Sequence, residues 1–433
     1  MVEAHQGSAA RELLMRAYRA AYQTALPGIC LPPHLPEAPR AGRLIVLGAG
    51  KANAAMAQAT EAIYAKRGTL DRIVGFVTTR HGFKLPTETI EVVEAAHPVP
   101  DAASAAAAER ALALAATAGP DDTVLVLMSG GASALWSAPV AGVSAADKQA
   151  LTKQLLRSGA PIGDMNTVRR HLSRIKGGRL ARAAAGAGSV VTLAISDVPG
   201  DVPAAIGSGP TVADETTLAD ARSVLARYRI TPPASIARAL DDPANETAKA
   251  GDPAFRNAEF VMVARPGAAL AAAVDVVSAA GYKPTILGDS LEGEAREVGR
   301  AHARLALEAR GRGERVAILS GGEFTVTVVG TGAGGPNQEY AMGLALGLDG
   351  AAGVTALAAD TDGIDGGGGA ATDPAGAIVT PDTLERARFR HMDAQKMLAN
   401  NDSTAFFRAL GDLVEVGPTQ TNVNDFRLIL VDP

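Results

Sequence analysis

Uninterrupted apolar runs alternate with amphipathic stretches along most of this chain. Residues 44–47, 73–79, 124–128 and 190–195 are short and rich in Val, Leu and Ile, the composition of strands covered on both faces in a parallel sheet. Residues 8–26 instead carry Leu13, Leu14, Ala17, Tyr18, Ala21 and Tyr22 at helical spacing, and Pro27 stops them. A polar, Pro-containing segment near 231–254 breaks the alternation and reads as a domain boundary. Beyond it, strands are expected at 260–264, 284–287, 316–319, 324–329 and 354–358, with helices at 267–280 and 291–310. The pair 316–319 and 324–329 is close enough in sequence to be antiparallel. The fold class expected is therefore α/β: two domains with mostly parallel sheets, the second mixed, covered by helices, and an active site in the cleft between them. The domains are placed at 1–240, Rossmann-like, and 241–433, with the N-terminal helix able to pack on either.

Two of the apolar runs end in Ser-Gly-Gly, at Ser129-Gly130-Gly131 and Ser320-Gly321-Gly322, and a third runs into Gly48-Ala49-Gly50-Lys51 ahead of a helical stretch. Each reads as a turn whose glycines leave backbone N–H groups to approach an anion at the carboxyl end of a strand. Standard nucleotide fingerprints fail here: Asn53 replaces the third glycine of GxGxxG, and GxxxxGK[ST] fails on spacing and on Ala52. The lysine at a helix N-terminus calls for a bound anion, against the alternative of a solvated loop lysine. Ser133 closes a segment that lacks the last glycine of a nucleophile elbow, so it is read as part of an anion cradle. Strand geometry alone is the competing explanation of these glycines.

Residues 166–178 concentrate cations on an expected helix. Arg170 and Arg174 are assigned to solvent, and Arg169 and Lys176, at i and i+7, to a carboxylate or phosphate. Asp197 follows the strand run 190–195 and is a candidate for Mg²⁺ or for accepting a proton, or else the start of a turn. Asp360 and Asp362 are further metal candidates in a cluster of three carboxylates, or part of a solvated turn. His81 and His97 are read as turn residues.

The 433 residues exceed what one core usually serves, and 47% apolar content supports two. Lys plus Arg number 41 against 46 Asp plus Glu, a net charge of −5 that argues against nucleic acid or a membrane surface. The single cysteine, Cys30, excludes an intrachain disulfide, no Cys/His cluster has zinc spacing, and no signal peptide or bilayer-spanning run is evident. A soluble cytoplasmic monomer or homodimer acting on small molecules is the expectation.

The segments GAGKA (48–52), HPVPD (97–101), LMSGGASAL (127–135), NTVRRHLSRIKGGRLA (166–181), ISDVPGD (195–201), GSGPTVAD (207–214), LSGGE (319–323), GGPNQE (334–339) and ADTDGIDG (359–366) occur in this order. Together they resemble the class II glycerate 2-kinases, two-domain proteins with a MOFRL C-terminal module, over nearly the whole chain. The resemblance implies ATP- and Mg²⁺-dependent phosphorylation of D-glycerate at the C2 hydroxyl, with Lys51 catalytic. Lys51 and Asp197 are thus the catalytic candidates. Gly48, Gly50, Ser129, Gly130, Gly131, Ser133, Arg169, Lys176, Ser320, Gly321, Gly322 and Asn337 are candidates for holding substrate or phosphate. This chain departs from the family at Pro336, where an arginine is expected. Some family members are named hydroxypyruvate reductase, so an NAD(P)H-dependent reductase is the alternative.

Overall fold

In a computed structural model, which describes residues 2–366 and 369–433, the apolar runs of the first half become neighbouring strands of one sheet. These are β1 (Leu44–Ala49), β2 (Ile73–Arg80), β3 (Glu91–Ala95), β4 (Thr123–Met128), β5 (Ser189–Ile195) and β6 (Ala258–Ala264), in the order β3-β2-β1-β4-β5-β6. The ladders β1/β2, β1/β4, β2/β3 and β4/β5 are all parallel. Every residue of β1 is buried, as both faces of a covered parallel strand must be. Helix Ala102–Ala115 is started by a reciprocal cap, Asp101 accepting from the Ser104 amide and the Ser104 hydroxyl from the Asp101 amide.

The second sheet contains β7 (Lys283–Leu291), β8 (Val316–Gly322), β9 (Val354–Asp360), β10 (Gly376–Val379), β11 (Leu413–Val414) and β12 (Asp425–Val431), in the order β11-β10-β9-β12-β8-β7. Only β7/β8 is parallel, and the remaining ladders are antiparallel. The sheet is mixed, as expected, but its partners differ. The run 324–329 forms no strand and has only an isolated bridge from Thr325 to Glu294. The strand antiparallel to β8 is β12, about a hundred residues further on.

The chain divides into two compact units, one of residues 30–195 with 201–263, the other of residues up to 29 with 196–200 and 264–433. The division falls at 263/264, beyond the expected junction at 240/241, because β6 joins β5 at the edge of the first sheet. Helix Val2–Gln23 belongs with the second sheet: Leu14, Ala17, Tyr18 and Ala21 are fully buried, and the helix packs on helix Pro266–Ala279 and on β9 and β12. Tyr18 OH donates to the Asp360 carbonyl at 2.7 Å, and Arg11 pairs with Asp412 at 2.7 Å. No helix among the described residues is long and apolar enough to cross a membrane.

Candidate active site

In the first sheet the chain leaves β1 toward β2 and β3 on one side and returns on the other through β4 and β5. Strands flanking β1 and β4 therefore lead away in opposite directions, and the carboxyl ends of that pair are where an open α/β sheet leaves a crevice for a ligand. Both Gly48-Ala49-Gly50-Lys51 and Ser129-Gly130-Gly131 lie there.

The two loops are tied to each other. The Lys51 amide donates to the Gly130 carbonyl (2.8 Å), the Ala52 amide to Ser129 Oγ (3.1 Å), and Ser129 Oγ to Asn53 Oδ1 (2.8 Å). Asn53 Nδ2 donates in turn to the Leu127 carbonyl at 2.8 Å, so Asn53 stitches the start of its helix to β4. Gly50 has φ +147, and a Cβ there would meet Ser129 Oγ at 2.0 Å. These bonds correct the expectation that the first loop offers amides to an anion. Gly50 and Asn53 also spend theirs, on the Thr78 and Gly50 carbonyls. The amides of Gly130 and Gly131 bond no partner among the described residues and remain as the donors of this crevice.

Lys51 is half-buried and its stem runs past Gly131, whose left-handed φ of +83 and missing side chain make the approach possible. A Cβ on Gly131 would lie 3.5 Å from Lys51 Cγ and 2.9 Å from the His97 ring. His97, read from sequence as a turn residue, thus borders the loop. His81, also read as a turn residue, lies 3.2 Å from the Asp101 carboxylate.

Cations gather around Ser133, in the short helix Ala132–Leu135. Arg169 donates to its Oγ at 3.0 Å, and Lys176 Nζ donates to the same oxygen and to the Ser133 carbonyl at 2.6 Å. The expected helix stops early, at His171, so Arg169 is helical while Lys176 sits in the following turn. Their convergence comes from that turn, not from i, i+7 spacing. Burial pushes Lys176 well below the ordinary lysine range, and the charges of Arg169 and Lys148 add to the effect. Arg170 is not solvated as expected: it is buried against Asp214 at 3.0 Å. Arg174 is half-exposed and pairs with Glu109. Sequence reasoning missed Ser208, whose Oγ lies 3.1 Å from Ser133 Oγ and whose φ is +65, a strained conformation for a residue other than glycine. Its only signal was the GSGP turn.

In the other unit, Ser320-Gly321-Gly322 is not a turn after a strand but the end of β8 itself. A Cβ on Gly322 would lie 2.2 Å from the Leu291 backbone, so sheet packing alone demands that glycine, and the Gly321 and Gly322 carbonyls accept from Arg427. Asn337 is fully buried, donating to Asp365 at 3.2 Å and Asp425 at 2.7 Å. Asp365 also accepts from the Asn337 and Gln338 amides, both at 2.9 Å, at the start of helix Pro336–Leu348, where the expected arginine is Pro336 in the first turn. Asp360 and Asp362 each accept a backbone amide within their own turn, from Asp362 and Ile364 at 2.9 Å. Gly367 and Gly368 of the following glycine run lie outside the described residues. Asp197 is half-buried. One of its carboxylate oxygens accepts from Asn422 at 3.2 Å and its carbonyl from Asn424 at 3.0 Å. Among the described residues no group of three or more His, Cys, Asp or Glu converges as a metal site.

Burial, and next the charge of Asp425, raises the Asp365 carboxyl to about 7. A carboxyl that ionises near 4 in the unfolded chain then holds its proton longer when folded, so stability falls as pH rises from about 4 to about 7. Asp365→Asn, neutral throughout, is expected to flatten that slope by about one proton, measured by denaturant unfolding across the window.

Residues 13–241 match a family described only as a domain of unknown function, DUF4147, and residues 316–425 match the MOFRL family. A protein of Agrobacterium vitis named as a hydroxypyruvate reductase is 51% identical over 98% of this chain and 94% of its own length. The glycerate 2-kinase of Pyrococcus horikoshii is 38% identical over 90% of this chain and 88% of its own. A crystal structure of the glycerate kinase of Thermotoga maritima superposes with a TM-score of 0.86 at 36% identity, covering 98% of this chain and all (100%) of that one.

Proposed function

Because the chain belongs to the glycerate 2-kinase family with a MOFRL module, we propose that it transfers the γ-phosphoryl group of ATP to the C2 hydroxyl of D-glycerate, giving 2-phosphoglycerate and ADP. The observation that carries this reading is Lys51 held against Gly131 at the carboxyl ends of β1 and β4. Phosphoryl transfer asks a protein chiefly to position donor and acceptor and to neutralise charge. Lys51 neutralises the transferring group, and the Gly130 and Gly131 amides hold phosphate or carboxylate oxygens. Arg169 and Lys176, fixed on Ser133, add positive charge for an anionic group.

The C2 oxygen bonds to the γ-phosphorus, the bridging oxygen leaves on ADP, and the hydroxyl proton passes to a base, for which Asp197 is the candidate. Mg²⁺ needs only one or two carboxylates beside phosphates and water. Asp197, with one oxygen oriented by Asn422, fits that role too, as do Asp360 and Asp362, each with one oxygen oriented by an amide of its own turn. When bound, the ion neutralises the donor's phosphate oxygens.

The relatives named as hydroxypyruvate reductases favour a second reading, hydride transfer from a nicotinamide. The sheet order suits a dinucleotide, but the position of the third fingerprint glycine is filled by Asn53, whose side chain bonds Leu127 and Ser129. Purified protein given D-glycerate, ATP and Mg²⁺ is expected to release ADP and form 2-phosphoglycerate, identified by phosphorus NMR. Hydroxypyruvate with NADH or NADPH is expected to give no nicotinamide oxidation. Oxidation without ADP release would replace the kinase with the reductase.

A further inference from the structure

Helix Ala145–Arg157 opens on Ser144, whose hydroxyl accepts from the Asp147 amide at 3.0 Å, and carries Lys148 in its first turn. A lysine there opposes the positive end of the helix dipole. Its Nζ is nonetheless buried, and among the described residues no acceptor bonds it and no carboxylate pairs with it. Its charged neighbours are also cations. Burial lowers Lys148 to about 7, with Arg169 and Arg179 contributing, and Lys148 in turn depresses Lys176.

Nearby carboxylates serve other groups. Asp147 accepts from Ser235 at 2.7 Å, Asp214 pairs with Arg170, and Glu246 pairs with His171 at 3.0 Å and Lys249 at 2.6 Å. Arg179 is satisfied by the backbone carbonyls of Arg170, Ser173 and Asn245. Lys148, Arg169 and Lys176 are left with no carboxylate partner among the described residues: Lys176 and the Lys148 Nζ are buried, Arg169 is half-buried, and Arg169 and Lys176 both donate to Ser133. Burying a charge without a counter-charge is strongly destabilising. A ligand oxyanion would remove that cost, and the β4 loop that holds Ser133 already carries the Gly130 and Gly131 donors.

We propose that Lys148 is a substrate-binding residue that completes, with Arg169 and Lys176, a three-cation pocket on Ser133 for a carboxylate or phosphate oxyanion. Which substrate supplies the anion rests on the kinase reading; that the pocket binds one does not. The acceptor's carboxylate and the donor's phosphates share the required chemistry, and kinetics separates them.

The test compares wild type with Lys148→Met, Lys148→Gln and Lys148→Arg. In thermal melts with inorganic phosphate as the probe, wild type is expected to gain stability with phosphate, and Met and Gln to lose most of that gain. Without phosphate, Met is expected to melt no lower than wild type, because it removes an unpaired buried charge. Arg, which keeps the charge, is expected to restore the response, and it decides the matter should Met and Gln fold poorly. In turnover assays Met is expected to raise KM about tenfold or more, as loss of a charge-assisted contact does. A rise for D-glycerate alone assigns the pocket to the carboxylate, and one for ATP alone to a phosphate. Undiminished phosphate stabilisation in Met and Gln with neither KM moved would overturn the proposal, as would an Arg variant that folds but gives no phosphate response. Wild type that responds to phosphate but never releases ADP would instead overturn the kinase reading and leave the pocket to be judged by the melts.

Discussion

Lys51→Ala is expected to lower turnover by about a hundredfold to a thousandfold, the usual cost of removing one preorganised group that stabilises transition-state charge, with little change in melting temperature. The backbone bonds that shape its loop come from the Lys51 amide and carbonyl, which accepts from Thr79 Oγ1 at 3.3 Å, and these survive the substitution. Tying the Ala52 amide to Ser129 and Asn53 to β4 likewise involves no Lys51 side-chain atom. Steady-state kinetics beside a thermal melt separates the two effects. A well-folded variant with near wild-type turnover would remove Lys51 from the mechanism.

Asp425→Ala is expected to destabilise the protein by about 3 kcal/mol, the lower end of what breaking one side of a buried ion pair costs. Asp425 pairs with Arg427, and both side chains are almost wholly buried. The guanidinium lies 3.5 Å from the centroid of the Phe324 ring and 5.4 Å from that of Tyr340, both rings being buried with it. The estimate stays low because Arg427 keeps the carbonyls of Gly321 and Gly322. In addition, Asp365, held protonated partly by Asp425, ionises more readily once that charge is gone. Chemical denaturation of the single variant and of Asp425→Ala with Arg427→Met checks the account. The double variant is expected to recover part of the loss, since it no longer buries an unpaired cation, and equal losses in both would refute the pairing argument.

Four of the six strands of the first sheet were legible because parallel strands covered on both faces must be apolar throughout, whereas the edge strand β3 was not expected and the run of β6 was assigned to the second domain. Runs at 44–47, 73–79, 124–128 and 190–195 lie within β1, β2, β4 and β5. The two loops of the crevice were legible for a similar reason, since a backbone that must pass beside Ser129 or Lys51 without a Cβ can only be glycine there. The second sheet was less so. Residues 413–414 and 425–431 were not recognised as strands, and a neighbour of β8 was sought nearby at 324–329, whereas antiparallel pairing with β12 joins segments whose partnership no local pattern encodes. The second Ser-Gly-Gly has the same letters as the first, yet the approach of β7 explains its last glycine.

The sequence by itself determined the α/β class, the helical N-terminus, the β1 and β4 loops and the family, all of which are written in local composition and motif order. Only the tertiary structure decided that the N-terminal helix belongs with the second sheet, that Asn337 donates to the buried carboxylates of Asp365 and Asp425, that Arg170 pairs with Asp214 while Arg169 donates to Ser133, and that the Lys148 Nζ is buried. The physical reason is that charge and hydrogen-bonding capacity are local properties of a residue, whereas desolvation and partnership depend on what the remote chain places around it.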